Sequence, residues 1–197
     1  MTRPPEVQHF LQALLAAPGI IVLRDAPSAC MARIARALAT PGTPRRTPGR
    51  ALPVCTHLPQ ARRSAAAQGA PLARLAHSFA ALEPHLAWAP RGAGGPNASP
   101  DWPQGHANAM LVGPGGIEQR DDLWIGASLL APFVRYPDHS HPPEEVYLLL
   151  SPGRFQHGSA PWEEPGAGGT FYNPAGITHA MAADSTPLLA IWSLWVG

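Results

Sequence analysis

The second half of the chain, from residue 106 onward, is a series of short β-rich runs separated by turns. The runs cover residues 106–112, 123–131, 145–150, 154–156, 169–172, 179–182 and 188–195. Short strands at such intervals are typical of small barrels and double-sheet rolls, which leave few strand edges open to solvent. We therefore expect a mainly β fold in this half.

The first half has a helical pattern instead. Apolar residues recur every three or four positions over residues 6–17, and similar patterns predict helices over 28–39 and 71–81. Between the last helix and the first strand, the run PRGAGGPNASPDWPQG at residues 90–105 is too rich in Pro and Gly for regular structure. We expect a helical portion at 1–89 packed on the β roll, a loop at 90–105, and the roll at 106–197.

Composition excludes several classes of function. All 14 basic residues are arginines, so Schiff-base chemistry on lysine is excluded, and no long basic run indicates a nucleic-acid partner. The apolar stretches are too short for a membrane span or a signal peptide, which predicts a soluble cytoplasmic protein. Cys30 and Cys55 have no CxxC spacing, so we expect buried free thiols.

Two motifs in the β-rich half predict a metal site. In HSHPPEEVY, His139 and His141 share one face of an extended backbone, and Glu145 follows after the rigid Pro142-Pro143 pair. In NPAGITH, a turn places His179 at the start of another strand. Three imidazoles and a carboxylate suit a divalent Zn, Fe(II), Mn, Co or Ni ion and leave positions open for substrate. An open position indicates catalysis on a small molecule.

These motifs resemble the cupin superfamily, whose metal ligands fall on the positions of His139, His141, Glu145 and His179. The resemblance implies a double-stranded β-helix, a jelly-roll-like barrel. A wider resemblance, to the dimethylsulfoniopropionate lyases of the DddQ-like cupin group, covers most of the chain from Leu52 onward. It rests on these segments: LPVCTHL, GPNAS, GHANAMLVGPGG, RYPDHSHPPEEVYLLLSPG, PGAGGTFYNPAGITHAM and PLLAIWSLW. It implies a metal-dependent carbon–sulfur lyase that releases dimethyl sulfide and acrylate.

Two tyrosines are candidates for the chemistry. Tyr147 lies two residues from Glu145, hence on the same face of the strand, and a neighbouring dication would favour its phenolate. We interpret Tyr147 as the general base, as the resemblance also implies. Tyr136 matches a functional tyrosine of the family, which implies substrate binding or assistance to the base. For the sulfonium group, which accepts no hydrogen bond, we expect aromatic contacts, first from Phe133, Tyr136 and Trp192. Trp162 and Trp195 are further candidates, although Trp192 and Trp195 cannot both face inward on a regular strand because their separation is odd.

Other interpretations stay open at this stage. Glu145 could act as an acid or base while the histidines alone hold the metal. The same scaffold suits a metal-dependent dioxygenase or a non-catalytic cupin that binds a small molecule. His106 and Asn108 share a strand face from which both could reach the site as supporting groups. A homodimer is the default assembly for such rolls, and we expect neither nucleic-acid nor membrane partners.

Overall fold

The fold consists of helices in the first half and strands in the second. The computed structural model describes residues 2–46, 48–92 and 94–197, so Ala93, within the loop predicted at 90–105, lies outside the described residues, as do Met1 and Thr47. The helices are α1 Pro5–Leu15, α2 Pro18–Ile21, α3 Asp25–Leu38, α4 Leu58–Ala66, α5 Ala70–Leu82 and α6 Trp102–Gly105. The strands are β1 Thr43–Pro44, β2 His106–Val112, β3 Glu118–Gln119, β4 Leu123–Leu130, β5 Glu144–Leu149, β6 Arg154–His157, β7 Thr170–Asn173, β8 His179–Ala182 and β9 Leu188–Trp195.

The three predicted helices are confirmed as α1, α3 and α5. The apolar stripe of α1 buries Phe10 against α5, where its ring lies 6.2 Å from that of Phe79. Helix α4 was not predicted, because its buried face consists of Leu58, Ala61 and Ala65 and alanine gives a weak apolar signal. The helices cover one face of the larger sheet, with α3 against β5 and β9.

All seven predicted strands are confirmed, with their ends within one residue of the expected positions. They form a seven-stranded sheet in the order β1-β3-β2-β4-β9-β5-β7 and a two-stranded sheet of β6 and β8. Every pairing is antiparallel except that of β2 with β3. The short strands β1 and β3 were not predicted, and β1 lies between the predicted helices at 28–39 and 71–81. The mainly β architecture with an N-terminal helical portion is confirmed.

Strand β5 separates two apolar cores. Val146 and Leu148 belong to the core shared with the helices, whereas Tyr147 and Leu149 belong to a second core on the opposite face of the sheet. The alternation follows from the period of two along a strand. Glu145 and Tyr147 are therefore on the face turned away from the helices. Among the described residues, no helix combines the length and the apolar character needed to cross a membrane.

Candidate metal centre

The turn that carries His179 packs against the segment from His139 to His141 through backbone hydrogen bonds. The His139 amide donates to the His179 carbonyl at 3.0 Å, and the His179 amide donates to the His139 carbonyl at 2.9 Å. The Gly176 amide donates to the His141 carbonyl at 3.0 Å, from a turn in which Gly176 has a φ of +74° that favours glycine. Two motifs distant in sequence are thus joined, and the predicted histidines come together.

Backbone carbonyls fix the tautomer of each of these imidazoles. In each ring Nδ1 lies within hydrogen-bond distance of a carbonyl two residues away. The pairs are His139 with Pro137 at 2.9 Å, His141 with Pro143 at 2.8 Å, and His179 with Ile177 at 3.0 Å. Because a carbonyl only accepts, Nδ1 carries a proton in each ring, so Nε2 is the nitrogen that offers a lone pair when the imidazole is neutral. Metal-binding histidines are oriented in this way. One ring nitrogen of each histidine lies within 4.8 Å of the others, close enough to share one ion.

Glu145 completes the predicted ligand set. Its Oε2 atom lies 3.2 Å from Nε2 of His141 and 3.4 Å from Nε2 of His179, and it accepts a hydrogen bond from Nδ2 of Asn173 at 2.8 Å. Nε2 of His179 is buried and has no hydrogen-bond partner among the described residues. A divalent cation would satisfy this buried lone pair and the adjacent carboxylate together. The donor set therefore fits a divalent metal.

Burial keeps two of these histidines uncharged. It lowers the pKa of His139 and of His179 to about 4. For His141, burial also lowers the pKa, but the hydrogen bond and charge of Glu145 outweigh it and raise the pKa above its usual value. Since metal binding needs neutral imidazole, His139 and His179 are in the ligating form at neutral pH.

A cavity of about 260 Å³ opens beside the predicted ligands. Its walls combine predicted ligands with other polar and aromatic side chains: Arg91, Asn108, Ser128, Tyr136, His139, Ser140, His141, Glu145, Tyr147, Trp192 and Leu194. Tyr147 is 3% exposed and lies opposite Trp192 in the register of β5 and β9. Burial raises its pKa well above the usual 10, and the charge of Glu145 adds to that shift. Without a nearby cation, Tyr147 is thus a neutral phenol.

Tyr136 forms the wall next to the ligands. Its ring centroid lies 5.1 Å from that of His139, and its hydroxyl oxygen accepts a hydrogen bond from Nδ2 of Asn108 at 3.0 Å. The guanidinium of Arg91 lies 5.8 Å from the centre of the same ring. Tyr136 therefore lies between a predicted metal ligand and a cationic side chain from the loop.

Comparison with known proteins gives the family. A family model described as dimethylsulfoniopropionate lyase matches residues 26–190, well over half of the chain. The chain belongs to the dimethylsulfoniopropionate lyase family.

Individual relatives of this lyase family agree with that result. The dimethylsulfoniopropionate lyase DddQ of Ruegeria pomeroyi is 32% identical over 88 residues, which cover 44% of this chain and 43% of that protein. The match thus spans less than half of the curated relative. The crystal structure of DddQ from the same organism superposes with a TM-score of 0.72 and 22% identity, covering 98% of this chain and 92% of that one. A chain from the crystal structures of the dimethylsulfoniopropionate lyases RdDddP and RnDddQII gives a TM-score of 0.68 at 24% identity, covering 96% and 92%. These superpositions show a shared fold.

One aromatic residue predicted for the substrate pocket of this lyase-family chain lies elsewhere. Phe133 is 73% exposed and is not among the residues that line the cavity. It occupies a left-handed turn after β4, with a φ of +66° and its amide bonded to the carbonyl of Asp184. The prediction for Phe133 is therefore corrected, because the turn holds its ring in solvent. Trp192 does line the cavity.

The supporting groups of the site were only partly foreseen. Asn108 reaches the cavity, but His106 stacks on Trp102 and accepts a hydrogen bond from the Arg91 amide at 2.8 Å. Two further residues of the site were not predicted: Arg91, whose loop has no periodic pattern, and Asn173, which donates a hydrogen bond to Glu145. Asn173 is the first residue of the NPAGITH motif, which ends at the predicted ligand His179. Its position in that motif was the sequence signal that could have predicted a role in the site.

Proposed function

We propose that this protein is a metal-dependent lyase that cleaves dimethylsulfoniopropionate to dimethyl sulfide and acrylate. The observation that carries the proposal is the set of three imidazoles, each with Nδ1 bonded to a carbonyl, beside Glu145 on the wall of a small cavity. Membership of the lyase family and the partial match to DddQ support the substrate and the reaction type.

The ligands in this proposal are His139, His141, Glu145 and His179, which suit Zn, Fe(II), Mn, Co or Ni. A bound dication supplies two effects here: it stabilises negative charge on the substrate carboxylate, and it favours the ionised form of Tyr147 over the neutral form that burial favours. Asn173 holds Glu145 in place by its hydrogen bond. The carboxylate is thereby kept beside the imidazoles.

Tyr147 is the general base of the proposed elimination. Its oxygen takes a proton from the carbon next to the substrate carboxylate. The released electron pair forms the carbon–carbon double bond of acrylate, and the carbon–sulfur bond breaks as its electron pair leaves with dimethyl sulfide. The proton on Tyr147 returns to solvent before the next turnover. A side chain only 3% exposed is shielded from bulk water, which keeps the reacting carbanion-like charge from protonation by solvent.

Trp192 and Tyr136 bind the substrate in this scheme. A sulfonium group accepts no hydrogen bond, and the face of an indole attracts cations. Trp192 lies on the cavity wall opposite Tyr147 in the strand register, which places an aromatic ring next to the base. The hydroxyl of Tyr136 binds the carboxylate end.

The proposal is tested by restoring metals to the stripped protein. Zn, Fe(II), Mn, Co and Ni are added separately under argon with dimethylsulfoniopropionate, and headspace dimethyl sulfide and dissolved acrylate are measured by gas and liquid chromatography. We expect both products in equal amounts, dependent on metal and independent of oxygen. Products that need oxygen would favour the dioxygenase, and no product with any metal would contradict the lyase.

Matched histidine variants test the ligand set separately from turnover. His139→Ala and His179→Ala should lose bound metal in elemental analysis, because each removes one imidazole of the cluster. His77→Ala, at an exposed position on α5, is the control and should keep the metal content of the parent protein. Full metal content in both cluster variants would contradict the assigned site.

A further inference from the structure

We propose that Asn108 and Ser128 are positioning residues that turn the hydroxyl proton of Tyr136 into the cavity, and that Tyr136 is thereby a hydrogen-bond donor to the substrate carboxylate. The inference rests on the proposed function and deepens it, because it assigns opposite roles to the two tyrosines of the site. Tyr147 accepts a proton, and Tyr136 donates a hydrogen bond.

A chain of side-chain hydrogen bonds leads to Tyr136 across three strands. Nε1 of Trp192 on β9 lies 3.1 Å from Oγ of Ser128 on β4. Oγ of Ser128 lies 2.7 Å from Oδ1 of Asn108 on β2, and Nδ2 of Asn108 lies 3.0 Å from the oxygen of Tyr136. The register explains the contacts, since Asn108 and Ser128 are direct cross-strand partners. The pairing of neighbouring strands thus extends this series of hydrogen bonds to the cavity wall.

The indole N–H of Trp192, the first group in this series of hydrogen bonds, fixes which atom donates and which accepts in each following bond. An indole nitrogen can only donate, so Oγ of Ser128 accepts from Trp192. Ser128 is 4% exposed, and its own proton needs an acceptor, which Oδ1 of Asn108 provides at 2.7 Å. With its oxygen engaged, the amide of Asn108 presents its NH₂ group to Tyr136. The opposite orientation of the amide would leave the buried hydroxyl proton of Ser128 without this acceptor.

The direction of the chain decides what the Tyr136 hydroxyl can do. Its oxygen accepts from Asn108, so its proton is directed away from Asn108 and toward the other neighbours of the ring. Tyr136 is 3% exposed, and it lines the same cavity as His139 and Tyr147. A hydroxyl that accepts on its buried side donates on its cavity side. The donated hydrogen bond strengthens as negative charge grows on the carboxylate during proton removal, so it acts mainly on kcat.

Asn108→Asp tests the direction with little change in shape. A carboxylate can only accept, so it would draw the Tyr136 proton away from the cavity. We expect kcat to fall about 100- to 1,000-fold, the range for a lost oxyanion-hole donor, with KM changed less than about threefold. Metal content by elemental analysis should equal that of the parent protein. Ser128→Ala should lower kcat in the same direction, and Ser128→Thr, which keeps the hydroxyl, should restore it.

A double-mutant cycle with Tyr136→Phe separates positioning from added charge or misfolding. If Asn108 acts through Tyr136, Asn108→Asp should have almost no further effect in the Tyr136→Phe background. An effect of equal size in both backgrounds would overturn the inference, as would full activity of Asn108→Asp. Acrylate binding by titration calorimetry is the second measurement: Asn108→Asp should not weaken acrylate binding further in the Tyr136→Phe background, and additive losses of affinity would also overturn the inference. The unaltered protein is assayed alongside, and its failure to release dimethyl sulfide with any metal would reject the proposed function instead.

Discussion

Tyr147 is the residue on which the proposed chemistry depends most directly. Tyr147→Phe removes the phenol oxygen and keeps the ring, which packs 5.1 Å from Phe155 between centroids. We expect metal content to stay the same and kcat to fall about 10²- to 10⁴-fold, the usual contribution of a general base. Elemental analysis and the headspace assay give the two quantities. A variant with unchanged turnover would show that another group removes the proton.

Arg91 gives the cavity a cationic side chain next to the proposed metal ligands. It lines the cavity, and no carboxylate among the described residues forms an ion pair with it. Arg91→Gln should therefore weaken binding of the substrate carboxylate and raise KM about fivefold, the effect of ~1 kcal/mol expected for a partly exposed charge. Arg74→Gln, at an exposed position on α5, is the matched control. An unchanged KM in Arg91→Gln would exclude this contact.

The metal-site residues were predictable from sequence because histidine side chains have a specific chemistry as metal ligands. An imidazole pair two residues apart on an extended backbone indicates a shared ligand face wherever the strand lies, so the approach of His139 and His141 was foreseen. Phe133 was placed wrongly because its left-handed turn cannot be inferred from an apolar residue following a strand. The pairing of Asn108 with Ser128 depends on the register of β2 and β4, which no local pattern specifies.

At the scale of elements, the residues that precede a strand were informative. The long strands begin directly after Gly105, Asp122, Pro143 and Pro187, so their starts were predictable. Helix α4 was not predicted because two alanines form most of its buried face. Strands β1 and β3 were not predicted because two residues are too few to show a period. Such short strands form only when the tertiary structure brings the partner segment alongside.

Gly126 of β4 shows how one strand controls a side chain of the next. A Cβ atom at this position would lie 2.0 Å from Cζ2 of Trp192 and 2.6 Å from the carbonyl oxygen of Ala109. Gly126→Ala should therefore displace the indole and lower the free energy of unfolding by about 1–3 kcal/mol, as overpacking does. KM should rise, because Trp192 leaves its place on the cavity wall. Urea unfolding measures the free energy of unfolding, and steady-state kinetics measure KM. If the indole tolerates the added methyl group, neither quantity should change, which would contradict the prediction.

At the scale of the whole molecule, a buried ion pair fastens the beginning of the chain to the edge of the sheet. Arg3 precedes α1, and its Nε lies 2.5 Å from Oε2 of Glu118 on β3. The Gly42 amide donates to the other carboxylate oxygen at 2.8 Å, and Arg120 lies 3.7 Å away. Glu118 has no exposed surface. The pair therefore joins the helical portion, the segment before β1 and the sheet.

This ion pair should make the stability of the molecule depend on pH. Burial alone would raise the pKa of Glu118, but Arg3, the Gly42 amide and Arg120 outweigh it and hold the pKa below its usual 4.5. Because the folded-state pKa is lowered, the stabilisation is fully present above pH 4.5 and is lost as pH falls through the folded-state value.

Glu118→Gln leaves the Arg3 charge buried without its partner, which costs about 3–5 kcal/mol at neutral pH. Asp184→Asn, which breaks the exposed pair with Arg154, should cost less than about 1 kcal/mol. Urea unfolding from pH 7 to pH 3 measures both variants against the parent protein. The difference between Glu118→Gln and the parent should shrink below pH 4.5, because the parent then protonates the same carboxylate. A difference that stays constant over this range would show that Glu118 stabilises the fold by packing and not by its charge.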